Sequence, residues 1–526
     1  MIPPALDLTV LERAARQPDR ALYVFDDPDR PVTTGEFADL AGRAAAVLAA
    51  QGVGRGDRIA VWAENGLAWL VLLAAAAWRG AALTTLHPGL TGPELTSALA
   101  RARPRRLFAA ELVRDRPGPL TVTRALAGLP PGERPDGWHV LGADLGAAAL
   151  AGLPGWDDPV PPPVGDPDAA CNIQFTSGST GPAKMVSLSA ANLLTNAAWT
   201  AEAARLRPDD RIASPLPLAH AAGLGSGAML ALVTGALWVS TRRFRTEPVL
   251  DQIERHACTV VQAVPTMASM LADRVERDPG RWDLSSLRVG FLGGAACAPA
   301  LLTRTRRVLG LDRVAVVYGQ TEAGPTISLD PGDGSCGAPG HTVGRVLPAL
   351  EATVVDPATR APVPAGQVGE LLVRGESVTR GYADDPFTTA AAITSDGWLR
   401  TGDLGALTGG KVLTLAGRIK ELIIRGGENV HPAEVEAVLA DDPAVARVCV
   451  LGVPSPRWGE EVAALVVTVP GGRCDVDRLT RTATERLARH KVPTLIRTVA
   501  DLPLLPSGKV DRRAARDLLV ASGEER

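Results

Sequence analysis

The chain has 526 residues, 46% hydrophobic and 21% charged, enough to bury several cores and unlike a disordered composition; at roughly 100–200 residues per domain it should hold about three to five structural units. Its 55 Lys plus Arg against 58 Asp plus Glu leave a net charge of −3 and no basic stripe, which argues against nucleic acid as a partner. The longest apolar run, Leu67 to Trp78, is too short for a bilayer core of about 30 Å, and Met1-Ile2-Pro3-Pro4 lacks the features of a secretory signal, so a cytoplasmic chain with no membrane span is expected.

In chain order, Ala41–Ala50 reads as an Ala-rich helix ended by the Gly52–Gly56 turn, followed by a short strand at Arg58–Trp62 and an apolar helix at Leu67–Trp78. Arg101–Leu107 and Ala213–Leu216 are weaker strand candidates. Between Arg114 and Asp168 the Gly/Pro density, including Pro161-Pro162-Pro163, predicts surface loops and a linker without new elements. Thr259–Val264, Arg288–Leu292 and Arg313–Val317 are β-rich runs separated by helical stretches, the rhythm of layered mixed or parallel sheets. From about Val343 to residue 417, Glu351–Val355 and Gly369–Val373 alternate like strands of a small β subdomain. Beyond Gly417-Arg418 an α+β module is expected, with Pro432 tolerated in a first helical turn and Val435, Val438 and Leu439 at helical spacing. The predicted class is therefore α/β: a large N-terminal part over 1–417 with a β subdomain at about 343–417, then a C-terminal α+β domain.

Six widely spaced cysteines with no C-x-x-C pair suit reduced thiols, and seven scattered histidines make no metal-ligand spacing. The cations are more informative: 50 of 55 are arginine, and the only lysines are Lys184, Lys411, Lys420, Lys491 and Lys509. A compact ammonium and a planar guanidinium are not interchangeable, so the few lysines mark positions where the ammonium itself can matter.

The strongest local signal is Phe175-Thr176-Ser177-Gly178-Ser179-Thr180-Gly181-Pro182-Ala183-Lys184. Glycines let backbone N–H groups converge on an anion, while the hydroxyls of Thr176, Ser177, Ser179 and Thr180 add donors and Lys184 adds charge: a phosphate cradle, against the plainer alternative of a Ser/Gly-rich surface turn. It is not the loop G-x-x-x-x-G-K-[ST], because Gly178 and Gly181 are too close together. Gly405 to Lys411 fits the first seven positions of that loop, but Val412 replaces the metal-binding hydroxyl and the flanks read as a hairpin, so Lys411 is taken as a turn residue. No G-x-S-x-G elbow occurs.

Four further segments follow in order: Tyr318-Gly319-Gln320-Thr321-Glu322, Trp398-Leu399-Arg400-Thr401-Gly402-Asp403, Gly417-Arg418-Ile419-Lys420-Glu421 and Pro506-Ser507-Gly508-Lys509. With the cradle they resemble the adenylate-forming superfamily of acyl-CoA synthetases, adenylation domains and luciferases, over about Leu11 to Leu519. The resemblance implies that Thr176 to Lys184 enclose the ATP phosphates, that Glu322 holds Mg²⁺, that Thr321 lies by the α-phosphate, and that Gln320 belongs to the nucleotide-binding set. It further implies that Tyr318, Gly319 and Gly293-Gly294-Ala295-Ala296 form the adenine slot, and that Asp403, with Arg418 nearby, holds the ribose.

Lys509 would be the catalytic lysine and 418–420 a hinge, with Lys420 at its centre, about which a mobile domain over 421–526 swings. Gly426 and Gly427 would let a pantetheine arm pass. A random cation is Lys about one time in eleven, so lysines at 184, 420 and 509 together support the match. For the acyl group the resemblance indicates His220-Ala221-Ala222-Gly223, Val264-Pro265-Thr266, Gly319 and Gly324-Pro325-Thr326. These segments contain no Arg or Lys, so a mostly apolar fatty or aryl monocarboxylic acid is expected, with His220 where acyl and thiol tunnels meet. Two departures, Met185 after Lys184 and Cys297 beside the adenine segment, bear on loop mobility and pocket shape.

The implied activity is an AMP-forming ligase joining a carboxylic acid to coenzyme A through an acyl adenylate, with ATP and Mg²⁺. Delivery to a carrier-protein phosphopantetheine or an amine, and a non-catalytic nucleotide-binding protein, are the alternatives.

Overall fold

The computed structural model describes residues 5–25, 30–142, 145–146, 148–176, 183–338, 340–469, 471–472, 474–504 and 510–520. Two large sheets, a short two-stranded ribbon (Leu112–Val113 with Arg116–Pro117) and a set of helices build the N-terminal part. In the first sheet, strands Arg58–Trp62, Ala82–Leu86, Arg106–Ala110 and Ala170–Thr176 run parallel, and Lys184–Ser189 returns antiparallel at one edge. The second sheet has thirteen strands. Its parallel centre comprises Ala21–Phe25, Leu237–Ser240, Arg211–Ala213, Val260–Ala263, Val289–Gly293 and Arg313–Tyr318.

The helix predicted at Leu67–Trp78 occupies those residues, and all of them but Ala77 are buried. A helix apolar all round belongs in a core, and this one packs against Leu6–Arg16 and Thr34–Ala50. The latter starts seven residues before its predicted Ala41, because Thr33 and Glu36 make a reciprocal capping box: the Thr33 hydroxyl accepts from the Glu36 N–H and the Glu36 carboxylate accepts from the Thr33 N–H.

The Arg114–Asp168 stretch departs from the expectation of loops alone. Gly118–Ala127 is a helix with Pro119 in its first turn, and Gly137–Leu141 is a strand pairing parallel with Arg106–Ala110. Proline is compatible with a first turn, and Gly118 is needed because a Cβ there would lie 1.8 Å from the Ala110 carbonyl oxygen. The Pro161–Pro163 run has no regular structure.

Strands Leu350–Val355, Gly369–Gly375, Leu399–Thr408 and Val412–Arg418 form the antiparallel end of the thirteen-stranded sheet, joined to its centre through Arg345–Val346 and Ser328–Asp330, with an apolar core of their own. Strand Ile423–Arg425 starts a separate sheet, completed by Glu428–Val430, Val445–Ser455, Gly459–Thr468 and Leu495–Thr498. It packs against helices Pro432–Ala440, Val476–Arg486 and Arg512–Val520. Among the described residues no helix is long and apolar enough to cross a membrane.

Candidate active site

The carboxyl ends of parallel strands are where open α/β sheets bind ligands, because the turns leaving them are free to carry function. Here both sheets present those ends to one region. Asn65, just past strand Arg58–Trp62, ties them together: its Nδ2 donates to the Leu216 carbonyl (3.0 Å), Ser240 Oγ (3.2 Å) and the Thr241 carbonyl (3.2 Å), and its Oδ1 accepts from the Leu218 N–H (2.8 Å). A buried amide with both ends satisfied fixes how the two sheets meet.

The turns leaving Val289–Gly293 and Arg313–Tyr318 carry the predicted adenine segment and Gly319 to Glu322. Glycine is needed at 293 and 319 for close approach: a Cβ would lie 2.4 Å from the Val317 carbonyl oxygen and 1.9 Å from that of Pro325, respectively. Gly294, Ala295 and Ala296 are exposed and can accept a flat group. Burial pushes the neighbouring Cys297 thiol up to about 12, so it is a protonated thiol and no nucleophile. Met185 is buried in a small core with Ile173, Ala82 and Ala102.

Glu322 lies in a single helical turn, Thr321–Ala323, and is buried. Its Oε1 accepts from Tyr382 Oη at 2.8 Å, and no cationic side chain pairs with it among the described residues. A buried carboxylate lacking a cationic partner fits a hard divalent ion, and Mg²⁺ is commonly held by one or two carboxylates plus substrate phosphates. No group of three or more His, Cys, Asp or Glu side chains suited to a metal occurs among the described residues, so Glu322 with nucleotide oxygens is the fitting arrangement. Gln320 Nε2 is shielded from solvent and has no hydrogen-bond partner among the described residues, a donor left over for a ligand.

Asp403, only 5% exposed at its side chain, pairs with two groups: Oδ2 accepts from Tyr318 Oη at 2.6 Å and Oδ1 from Arg418 Nε at 2.9 Å. The latter follows from register, because Asp403 and Arg418 face each other across antiparallel strands. Burial, then the Asp403 carboxylate, hold the Tyr318 phenol well above its ordinary value, so it remains a donor. Tyr318, assigned from sequence to the adenine slot, thus directs its hydroxyl at Asp403, the carboxylate expected to hold the ribose.

Thr176 and Lys184 pair directly where two antiparallel strands flank residues 177–182, the core of the predicted phosphate loop. Ser177, Gly178, Ser179, Thr180 and Gly181 lie outside the described residues, as does Lys509. Lys411 sits at φ 60° in the turn between two antiparallel strands and its Nζ donates to the Leu350 carbonyl, the turn role expected of it.

The segments predicted for the acyl pocket come together. Helical residues following His220 press on the Gly324-Pro325 bond so closely that a Cβ at Gly225 would lie 2.5 Å from Pro325 Cδ; Ser226 Oγ lies 3.2 Å from Thr326 Oγ1, and Val264 Cγ1 is 3.4 Å from where a Gly294 Cβ would be. One neighbour carried no sequence signal: the His87 ring lies 5.0 Å from that of His220. His87 Nδ1 accepts from the Gly89 N–H at 3.0 Å, which places the proton on Nε2.

Burial, then His220 and Arg114, push the His87 imidazole down to about 3. A ring with a depressed folded pKa contributes its full stability above the ordinary value of about 6.5 and loses it as pH falls toward 3; the loss by pH ~5.5 is about 1 kcal/mol. His87→Asn is therefore expected to flatten the decline of the thermal midpoint between about pH 7 and 5.5. An undiminished decline in the variant would contradict this account of the ring.

In the C-terminal part, Gly426 and Gly427 form the turn between Ile423–Arg425 and Glu428–Val430 with φ of +61° and +87°. A Cβ on Gly426 would meet the Trp458 ring at 2.7 Å, whereas Gly427 is open. Lys420 lies in a single turn, Ile419–Glu421, between two ion pairs: Arg418 with Asp403 before it, and Glu421 with Arg512 Nε (3.1 Å) after it.

The chain belongs to the adenylate-forming class of AMP-binding enzymes, and the buried carboxylates Glu322 and Asp403 lie in two of the motifs that pointed to it. Residues 10–383 match the family described as AMP-binding enzyme and residues 434–509 its C-terminal domain. It is an enzyme of the AMP-forming acid–CoA ligase family. It is 32% identical over 95% of its length to the mitochondrial medium-chain acyl-CoA ligase ACSF2 of Danio rerio, of which it covers 86%. It is also 35% identical to the sulfoacetate–CoA ligase of Cupriavidus necator, with 95% of each chain covered. The crystal structure of ATP-bound MatB from Rhodopseudomonas palustris superposes with a TM-score of 0.86 at 27% identity, covering 98% of both chains.

Proposed function

We propose that this protein is an ATP- and Mg²⁺-dependent ligase that joins a mostly apolar monocarboxylic acid to coenzyme A. The substrate carboxylate oxygen attacks the α-phosphorus of ATP, the bond to the bridging oxygen breaks and pyrophosphate leaves. The thiol sulfur then attacks the acyl carbonyl carbon, AMP leaves with the electron pair of the broken C–O bond, and the thiol proton is lost to solvent. The observation that carries the reading is the joint presence of buried Glu322, with no cationic partner among the described residues, and of Asp403 held by Arg418 and by Tyr318, four residues before Glu322.

Roles follow from chemistry. Glu322 would hold Mg²⁺, which neutralises phosphate charge; Asp403 accepts from ribose hydroxyls; Thr176, Lys184 and the loop between them bind the β- and γ-phosphates; Lys509 offsets charge that grows on the phosphate oxygens as the carboxylate approaches. Relatives act on acids as unlike as medium-chain acyl groups and sulfoacetate, so the choice of acid rests on the local walls. Ala221 to Gly223, Val264, Gly319 and Pro325 supply small or apolar surface and no cation, which suits an uncharged chain or ring.

The test is acid-dependent exchange of labelled pyrophosphate into ATP across acids of varied length and ring content, followed by detection of CoA thioester. Exchange without thioester in the presence of coenzyme A would redirect the acyl group to a carrier protein or an amine, and no exchange with any acid would defeat the proposal. We place the hinge at 418–420, between the Arg418–Asp403 and Glu421–Arg512 pairs, and expect Lys420→Ala to slow thioester formation several-fold more than adenylation. Equal slowing in the two half-reactions, measured separately, would remove the hinge assignment.

A further inference from the structure

Tyr382 stands between the two groups that would meet the triphosphate from opposite sides. Its buried hydroxyl donates to Glu322 Oε1 at 2.8 Å, and Lys184 Nζ lies over its ring, 4.7 Å from the centroid. The backbone fixes the ring's place. Tyr382 bridges Val186, the Ala383 N–H donates to the Met185 carbonyl at 2.8 Å and the Ser187 N–H to the Gly381 carbonyl at 3.1 Å, so segment 381–383 is stitched to the strand that begins with Lys184. On the other side the Thr379 N–H donates to the Glu322 carbonyl at 2.8 Å. The Tyr382 N–H donates to Thr389 Oγ1 at 2.9 Å, and Gly381, at φ +142°, leaves room for that same threonine, whose Cγ2 a Cβ would meet at 2.4 Å.

A hydroxyl donating to a buried carboxylate takes up a lone pair of one oxygen and fixes the carboxylate plane. An aromatic face within about 6 Å of an ammonium attracts it without sharing a proton. We propose that Tyr382 is a positioning residue coupling the phosphate-loop lysine to the metal-binding carboxylate: its hydroxyl sets Glu322 and its ring face sets Lys184. This rests on the nucleotide site proposed above and assigns a residue outside the motifs that pointed to it.

The two halves separate by substitution. Tyr382→Phe removes the hydroxyl and keeps the face; Tyr382→Leu removes both, and Tyr382→Met does the same with a longer side chain should the Leu variant not fold. The measurement is ATP affinity of the full-length protein by calorimetry, with Mg²⁺ titrated and in excess EDTA. The Phe variant is expected to need roughly five- to tenfold more Mg²⁺ for half-maximal enhancement of ATP binding, with affinity in EDTA unchanged, and that shift should vanish in a Glu322→Gln background. The Leu or Met variant should also lose a few-fold in EDTA. An unshifted Mg²⁺ midpoint in Tyr382→Phe, a shift that persists with Glu322→Gln, or equal behaviour of the Phe and Leu or Met variants in EDTA would overturn the coupling while leaving the functional reading intact. Wild-type ATP binding that ignores Mg²⁺ and the Glu322→Gln change would overturn both.

Discussion

Lys509→Ala is expected to slow adenylate formation about 10²–10³-fold while changing ATP affinity only a few-fold. A carboxylate approaching a triphosphate brings together two anions, and the charge on the bridging and equatorial oxygens peaks in the transition state, so an ammonium placed there stabilises that state more than the bound reactants. The lysine is one of five among 55 cations and closes the last motif of the chain. Pyrophosphate exchange and equilibrium ATP binding, measured on the same preparation, separate the two effects. Thioester formation from presynthesised acyl adenylate should survive within a few-fold, because that step displaces AMP and builds no charge on a triphosphate. A loss of exchange smaller than about tenfold would show that another cation carries this role.

Asp403→Ala is expected to lower kcat/KM for ATP about 100-fold, the equivalent of two hydrogen bonds to a charged acceptor, and to cost about 1–3 kcal/mol of stability. The stability loss comes from Tyr318, whose buried hydroxyl would lose its acceptor at 2.6 Å; Arg418, with half its side chain exposed, can turn to water. A nucleotide contrast isolates the ribose contribution. The wild-type enzyme should prefer ATP to 2′-deoxyATP, and the variant should lose most of that preference. If the preference survives the substitution, Asp403 serves only to hold Tyr318 and Arg418.

Much of the framework could be read from the chain. Strands at 58–62, 260–263, 289–293 and 313–318 announced themselves as β-branched runs bounded by turns, and the helix at 67–78 as a run too short for a membrane and too apolar for a surface. The motif residues Tyr318, Glu322, Asp403 and Arg418 were recognisable by type, and their neighbourhood is what the fold adds. The Tyr318–Asp403 bond spans 85 positions and depends on the order of five strands, and the Tyr382–Glu322 bond spans 60. No local periodicity encodes such a meeting.

The helix at 118–127 was hidden because Gly118 and Pro119 read as loop formers, yet proline suits a first turn and the glycine is demanded by the Ala110 carbonyl pressing against it. His87 was invisible for a different reason: a lone histidine after a strand acquires meaning only when a second sheet brings His220 against it.

The two ion pairs flanking Lys420 have a mechanical corollary. Arg418 is paired with Asp403 and Glu421 with Arg512 of the tail module, so a swing about the proposed hinge would fall on the backbone torsions of Ile419 and Lys420. So short a pivot turns its load like a door on a single pin, with little sideways travel. On the proposed assignment Asp403 would sit on the frame and not ride with the door, leaving the nucleotide seated while the opposite wall of the chamber is exchanged.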